Sequence, residues 1–534
     1  MSNYADLIIT HAKVLTMDRA RPRAEAVAIQ GERIVFVGSA EEVKAWQRPY
    51  TRVIDAEERT LLPGLIDSHF HLLWGSLKLD NIDCEGLTTY DELVQTVSNF
   101  AAANPDRPVL LGNGTIYQIG PNGRIPNRHD LDAIVADRPL AIKAFDYHTV
   151  FANTKALEMA GLLHGAESPS GSEVVMSADG LATGELRESG AFDPVQNLAP
   201  KPDAAQKRAL LRKGLAQAAA YGITSVHNMN GSLSELLLYA EAEAAGEMTL
   251  RINVPLHVVP EMKLADLDEA IAMRDETVSH YVRSNTAKFF MDGVIESYTA
   301  LMLEPFANKP DDLGKAIWEY EQFVEMTSAC DAMGLQIVTH AIGNGAIRRT
   351  LDAYEQAQRV NDRRDSRHRI EHIELLHPDD LPRFRQLGVI ASMQPLHAAI
   401  SGPGQMWAAN VGEARWPWGF PWQSLRESGA HLTFGSDWPV VTQNPYLGIH
   451  AALSRQPWTP DIPVQRQSLF DTLAGYTRDG AYTEFQEGVK GQLRRGMWAD
   501  LVLLDRDIEQ TPVEQIQNMG ALLTICGGRV VYQR

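Results

Sequence analysis

Cysteine is nearly missing: Cys84, Cys330 and Cys526 are the only three in 534 residues. They are far apart, odd in number and show no CxxC spacing. That excludes a disulfide framework and a cysteine-rich zinc site, and it fits a reducing cytoplasm. No uninterrupted apolar run reaches the roughly 18–20 residues needed to span a bilayer, so no membrane partner is expected. The first stretch, MSNYADLIITHAKVLTMDRARPRAEAVAIQ, breaks its apolar residues with acids and a histidine, unlike a signal peptide. Positive charge is in deficit, with 49 Lys and Arg against 68 Asp and Glu and a formal net charge of −19. Such a surface repels phosphate backbones and anionic lipids, which argues against nucleic acid as a partner. Low-complexity tracts and long charge blocks are absent too, so disorder is not expected. What remains is a chain of ordinary apolar content, 44%, with ample material for a core. The expectation is a soluble cytoplasmic protein.

The two ends read as short strands. Asp6-Leu-Ile-Ile-Thr-His, Ala26-Val-Ala-Ile-Gln and Arg33-Ile-Val-Phe-Val-Gly are β-rich, with a hairpin turn at Gly31-Glu-Arg. Asp500-Leu-Val-Leu-Leu-Asp and Leu522-Leu-Thr-Ile-Cys-Gly-Gly-Arg-Val-Val-Tyr repeat the pattern, and Gly527-Gly528 reads as a second hairpin. Neither end has enough strands to bury a sheet face alone. One small β-sandwich built from 1–60 plus 485–534 solves this, with 61–484 inserted between. That middle alternates strand-like and helix-like segments, the signature of βα units around a parallel sheet. Eight short apolar runs read as its strands: Leu61–Ser68, Ile223–Asn228, Ile252–Val258, Thr286–Met291, Leu335–His340, Arg369–Ile373, Val389–Met393 and Leu432–Ser436. Helix-length stretches such as Ala204–Tyr221 and Asn344–Val360 separate most of them. The fold class expected is α/β, a closed (β/α)8 TIM-like barrel. About 150 residues separate the first two runs, far beyond an ordinary loop. Residues 75–205 are therefore expected to form an inserted subdomain, with strand-like Val109–Gly114 and Pro139–Phe151.

In such barrels the chemistry sits at the C-terminal ends of the strands. The first run ends Asp67-Ser-His-Phe-His, where alternation turns His69 and His71 the same way. Imidazole suits zinc and similar metals. The fourth carries Lys288 inside an apolar run; a buried lysine needs an acid such as Asp292, or a reaction with carbon dioxide to a metal-bridging carbamate. The fifth ends at His340, the sixth carries His372 near its end and the eighth leads into Asp437. Asp437 suits a metal ligand that also takes a proton from water, or else a helix N-cap. Taken singly, each histidine is more often a core or loop residue. Ligand-type residues closing runs one, four, five, six and eight together point to a site for one or two divalent metals, with zinc the expected ion.

With these residues in view, the chain resembles a known group. Leu62-Pro-Gly-Leu-Ile-Asp-Ser-His-Phe-His is similar to the opening signature of the amidohydrolase superfamily, and Gly496-Met-Trp-Ala-Asp-Leu-Val-Leu-Leu-Asp to its C-terminal one. His148 followed by Asn153-Thr-Lys-Ala-Leu, Lys288-Phe-Phe-Met-Asp-Gly, His340-Ala-Ile-Gly, Ile370-Glu-His-Ile-Glu, Ser392-Met-Gln-Pro-Leu-His and Gly435-Ser-Asp-Trp-Pro resemble the YtcJ-like branch, which includes N-substituted formamide deformylases. The resemblance implies His69, His71, His340 and His372 as metal ligands, Lys288 as the carbamylated lysine and Asp437 as the acid. One departure is Asn344, where similar proteins tend to carry Asp.

The implied activity is hydrolysis of an amide-like C–N bond of a small molecule by metal-activated water, with Asp437 as the proton acceptor. His148, His227 and His397 are candidates for holding the carbonyl oxygen. Trp74, Trp438 and the run Arg415-Trp-Pro-Trp-Gly-Phe-Pro-Trp422 either line a pocket for an aromatic or apolar group or pack a long loop. A mononuclear deaminase of a ring substrate is the enzymatic alternative; it needs a general-acid glutamate near run five, and no acid directly follows His340. Glu371, beside His372, is expected to point away from it. A non-catalytic barrel scaffold is a further alternative, disfavoured because every ligand position is filled. A homo-oligomer is compatible with this reading.

Overall fold

The computed structural model describes residues 4–145, 147, 149–167, 172–276 and 279–534. The chain forms two compact units, Met1–Leu72 with Leu215–Arg534, and Leu73–Gly214. No helix among the described residues is long and apolar enough to cross a membrane.

In the first unit the chain termini build two sheets. One has the order Arg33–Gly38, Ala26–Gln30, Leu7–Thr10, Arg52–Asp55. The other runs Arg529–Gln533, Ala521–Cys526, Leu501–Leu504, Thr60–Pro63, Lys13–Leu15, Arg23–Ala24. Both expected hairpins form: Gly31, Gly527 and Gly528 all take positive φ, where a side chain would be strained. Leu7, Ile9, Val27 and Ile29 share one core with Val14, Leu61, Leu501, Leu503, Leu523 and Ile525. Each such side chain contributes roughly 1.5–3 kcal/mol by leaving water, so N- and C-terminal strands hold each other in place.

The run expected as one strand, Leu61–Ser68, is two. Thr60–Pro63 pairs antiparallel with Leu501–Leu504, whereas Leu65–Phe70 pairs parallel with Ile223–Asn228. Gly64 is the pivot, and a Cβ there would lie 2.1 Å from the Thr224 hydroxyl oxygen. The third run divides in the same way, into Arg251–Asn253 and Leu256–His257, because Pro255 between them has no amide to give to a ladder.

Two parallel sheets follow. The first orders Val282–Arg283, Arg251–Asn253, Ile223–Asn228, Leu65–Phe70. The second orders Leu256–His257, Thr286–Phe290, Gln336–Ala341, Arg369–His372, Ile390–Met393, Leu432–Phe434. Their strands are buried almost throughout, as strands covered on both faces must be. Among the described residues the ladders do not close into one ring. Leu65–Phe70 and the segment after Leu432–Phe434 meet instead through a single parallel bridge, Phe70 to Trp438. The expected helices appear as Ala204–Ala220 and Asn344–Val360.

The second unit has its own sheet, ordered Glu173–Met176, Ala182–Arg187, Thr149–Ala152, Leu140–Ala144, Leu110–Thr115, Ile82–Asp83. The expected strand Pro139–Phe151 is two antiparallel strands in register Ile142 to Phe151. One apolar cluster contains Leu93, Val97, Leu110 and Ile142, and another Val150, Leu157, Leu186 and Phe192. The helix Tyr90–Ala103 in this unit begins at a capping box between Thr89 and Glu92.

Candidate metal centre

The site grows from the end of Leu65–Phe70. Asp67 turns inward and accepts from the amides of Ser436 at 2.9 Å and His69 at 3.1 Å. Burial pushes its carboxyl up to about 6 against the pull of these bonds. The backbone is stitched further by Asp437 N–H to His69 C=O at 2.7 Å and His71 N–H to Trp438 C=O at 2.9 Å. Gly435 permits this approach, since a Cβ there would lie 2.4 Å from the His69 amide nitrogen. Asp437 is thereby set beside the two histidines, at a positive φ of 65° that a non-glycine residue rarely adopts. His372 sits at a φ of 74°. Such backbone persists only where its surroundings over-determine it, and it clusters at functional sites.

His69, His372 and Asp437 bring one ligand atom each within 4.8 Å of one another, all buried. The Asp437 Oδ1 lies 3.3 Å from His69 Nε2 and 3.1 Å from His71 Nε2. The ring of His372 is 4.7 Å from that of His69 and 4.5 Å from that of His340. Three of these imidazoles direct Nδ1 outward to oxygen acceptors. His69 meets Glu371 Oε2 at 2.6 Å, His372 meets Gln394 Oε1 at 2.9 Å, and His71 meets Asn230 Oδ1. With the proton spent there, each Nε2 keeps a lone pair for the interior beside Asp437. His340 uses Nε2 on the Gly293 carbonyl at 3.1 Å, while its buried Nδ1 has no hydrogen-bond partner. Lone pairs and a carboxylate gathered out of water repel unless a cation joins them, and an outward Nδ1–H bond is what metal-ligating histidines make. The residues fit a divalent metal.

Without a cation the imidazoles take its place by carrying N–H and charge toward Asp437: burial raises the carboxyl, but they outweigh it and hold the group well below the ordinary carboxylate value. Burial, reinforced by the Lys288 charge, lowers His340 to about 3 and keeps it neutral. Lys288 is fully buried; its ammonium lies 3.9 Å from the Met229 sulfur and 4.6 Å from the centre of the Phe290 ring. Burial lowers it to about 8. The expected salt bridge to Asp292 is not formed among the described residues. Asp292 instead accepts from the amides of Leu301, Ile342 and Gly343 at 2.9–3.0 Å. Asp437 is not a helix cap either, since Asn444 caps the next helix, Pro445–Ser454. Asn344 opens the helix after His340 and accepts from the Leu303 amide at 2.8 Å.

The other candidates divide. His397 joins the cluster, its ring stacked on that of His372 at 5.8 Å and its Nε2 3.6 Å from Asp437 Oδ2. His227 does not: Nδ1 accepts from Arg369 at 2.8 Å and Nε2 faces Glu484 at 3.3 Å. Trp438 is buried with its ring 5.0 Å from that of Phe70. Trp74, in the second unit, is 36% exposed, and His148 lies outside the described residues. The tryptophan run packs its loop: Trp422 is fully buried, and Trp416 meets Trp458, which meets Trp407. Sequence reasoning missed Glu371, Arg369, Gln394, Asn230 and Glu374, the partners that orient the imidazoles. Glu371, beside His372 in sequence, directs its carboxylate to His69.

The amidohydrolase family profile matches residues 52–532. Protein LONG AFTER FAR-RED 3 of Arabidopsis thaliana is 30% identical over 99% of this chain and 92% of its own length. N-substituted formamide deformylase of Arthrobacter pascens is 26% identical over 100% of this chain and 99% of its own. Among solved structures, an uncharacterized metal-dependent hydrolase from Pyrococcus furiosus superposes with a TM-score of 0.74 at 25% identity, covering 94% of this chain and 99% of that one. The chain belongs to the amidohydrolase family.

Proposed function

We propose that the protein hydrolyses an amide-like C–N bond of a small molecule at a site for divalent metal, zinc the expected ion, formed by His69, His71, His340, His372, Asp437 and Lys288. The observation that carries this is the set of imidazoles whose Nδ1 atoms are spent outward around the Asp437 carboxylate. The deformylase relative supports the bond class. We read the two parallel sheets, bridged at Phe70 and Trp438, as a (β/α)8 barrel that begins after Gly64 rather than at residue 61, with the unit Leu73–Gly214 as its inserted subdomain and the strands up to Thr60–Pro63 joining the C-terminal ones in a sandwich.

A bound divalent metal polarises a carbonyl and lowers the pKa of water from about 15.7 toward 7. Asp437, ionised at neutral pH, takes the proton of the attacking water and returns it to the leaving nitrogen. His397 is placed to hold the carbonyl oxygen. Burial lowers its pKa, but Glu374 at 3.5 Å on Nδ1 and Asp437 outweigh this and raise it. Phe290, its ring 5.0 Å from that of His340, and Trp438 give the cluster an apolar side that favours an apolar or aromatic substituent. Lys288, with its amine lowered toward neutrality, adds carbon dioxide and releases a proton to become a carbamate.

The test is metal content by elemental mass spectrometry on protein purified without chelator, with hydrolysis assayed on N-substituted formamides, amides, lactams and esters. About two metals per chain with amide cleavage is the expected result. About one metal, with ammonia released from a ring amine, replaces this reading with a mononuclear deaminase. Metal-free protein with no hydrolysis overturns it.

A further inference from the structure

Beneath the histidine cluster runs a file of buried charged side chains that the hydrolytic mechanism does not use. Lys490 and Glu484, His227, and Arg369 with Glu371 come from three separate stretches of chain, and each is at most 3% exposed. The Lys490 ammonium donates to Glu484 and to the Ser225 hydroxyl. Glu484 Oε1 faces His227 Nε2 at 3.3 Å, and His227 Nδ1 accepts from Arg369 at 2.8 Å. Arg369 donates to both Glu371 oxygens, at 2.8 and 3.0 Å, and is anchored on Ser68 C=O and Ser392 Oγ. Glu371 Oε2 then meets His69 Nδ1 at 2.6 Å.

The direction of this file is forced by donor and acceptor capacity. A guanidinium has donors only, so His227 Nδ1 carries no proton and its N–H is Nε2, on the side of Glu484, whose Oε1 lies 3.3 Å away without a hydrogen bond between them. An ionised carboxylate has acceptors only, so Glu371 requires N–H both from Arg369 and from His69 Nδ1. His69 is therefore fixed as the Nδ1–H tautomer, with its Nε2 lone pair toward Asp437. A buried ion pair is a poor way to stabilise an interior, since apolar residues of similar volume often do as well or better. What it offers is orientation.

We infer that the file from Lys490 to Glu371 is a positioning device, in which Glu371 and, behind it, Arg369, His227, Glu484 and Lys490 lock the His69 tautomer and so set metal affinity from outside the ligand set. This rests on the metal reading above. Glu371 acts through His69 and Glu484 at three side chains' remove. None of the five is a ligand.

The experiment is zinc titration of the full-length, metal-stripped protein against a chromophoric chelator, for wild type, Glu371→Gln and Glu484→Gln, with thermal midpoints of the metal-free forms recorded alongside. Glu371→Gln should raise the zinc dissociation constant about 10- to 100-fold, and Glu484→Gln at least about threefold, with metal-free midpoints close to wild type. Glu371→Gln binding within about twofold of wild type overturns the inference. Should Glu371→Gln fail to fold, Glu484→Gln decides, and unchanged affinity there overturns it. Nitrogen-15 histidine spectra of metal-free wild type give a metal-independent check: the His69 signal, identified by its loss in His69→Gln, should show Nδ1–H, and Nε2–H overturns the inference. Wild type that takes up no zinc refutes the metal reading itself, a result distinct from zinc-binding wild type with unaffected variants.

Discussion

At the residue scale, Asp437 carries the most chemistry. It lies 3.1–3.3 Å from two imidazole nitrogens and is held as a carboxylate despite burial. Asp437→Asn keeps the size but removes the proposed proton acceptor. Steady-state kinetics should show kcat reduced by on the order of 10²–10⁴, with the thermal midpoint little changed; a loss below about tenfold assigns the base to another group. His69, His71, His340, His372 and Asp437 stood out in the sequence because each closes a short apolar run. The partners did not, because each is meaningful only across the fold: Glu371 is 302 residues from His69, and no local pattern joins them. A signal did exist in Arg369-Ile-Glu-His, where two charges alternate within a buried strand. Inside such a strand they must be paired, and two apart on one face they pair with each other, but no local pattern tells that the pair also holds His69.

At the element scale, local rules located the elements and misplaced some of their ends. The hairpin glycines and the helix Asn344–Val360 follow from turn chemistry and periodicity. Leu61–Ser68 was legible as apolar and extended, but apolar content cannot show that the chain changes sheets at Gly64. That hinge brings Leu65–Phe70, and with it Asp67 and His69, into the parallel sheet while Thr60–Pro63 remains with the terminal strands. A Cβ on residue 64 would meet the buried Thr224 side chain at 2.1–2.7 Å. Gly64→Ala should lower unfolding free energy by roughly 1–3 kcal/mol, measured by urea denaturation. Gly64→Ala,Thr224→Ala, which removes both the Thr224 hydroxyl and its methyl, should recover part of the loss. Equal losses in single and double variants would show that the hinge does not depend on this contact.

At the scale of the whole molecule, acid stability rests on pairs that join distant stretches. Asp331, at the end of the helix Tyr320–Ala332, takes His368 Nε2 at 3.1 Å, Arg364 at 2.7 Å and the Asn361 amide at 3.1 Å. His368 in turn accepts from the Ile337 amide at 3.0 Å, which ties this group to the strand that ends at His340. Burial pushes the Asp331 carboxyl up, but His368, Asn361 and Arg364 outweigh it and hold it at about 2. Against an unfolded value near 3.9, the unfolded chain binds the extra proton between these limits. The stabilisation is therefore fully present above about pH 4 and is lost as pH falls toward 2. Burial lowers His368 as well, so its contribution also falls as acid charges the unfolded imidazole below about pH 6.5. Asp331→Asn removes the first of these. Urea denaturation from pH 5 to pH 3 should show the stability gap between wild type and variant narrowing by about 1 kcal/mol. A gap that stays constant over that range would mean that Asp331 acts through its hydrogen bonds alone and that its charge contributes nothing to holding these segments together.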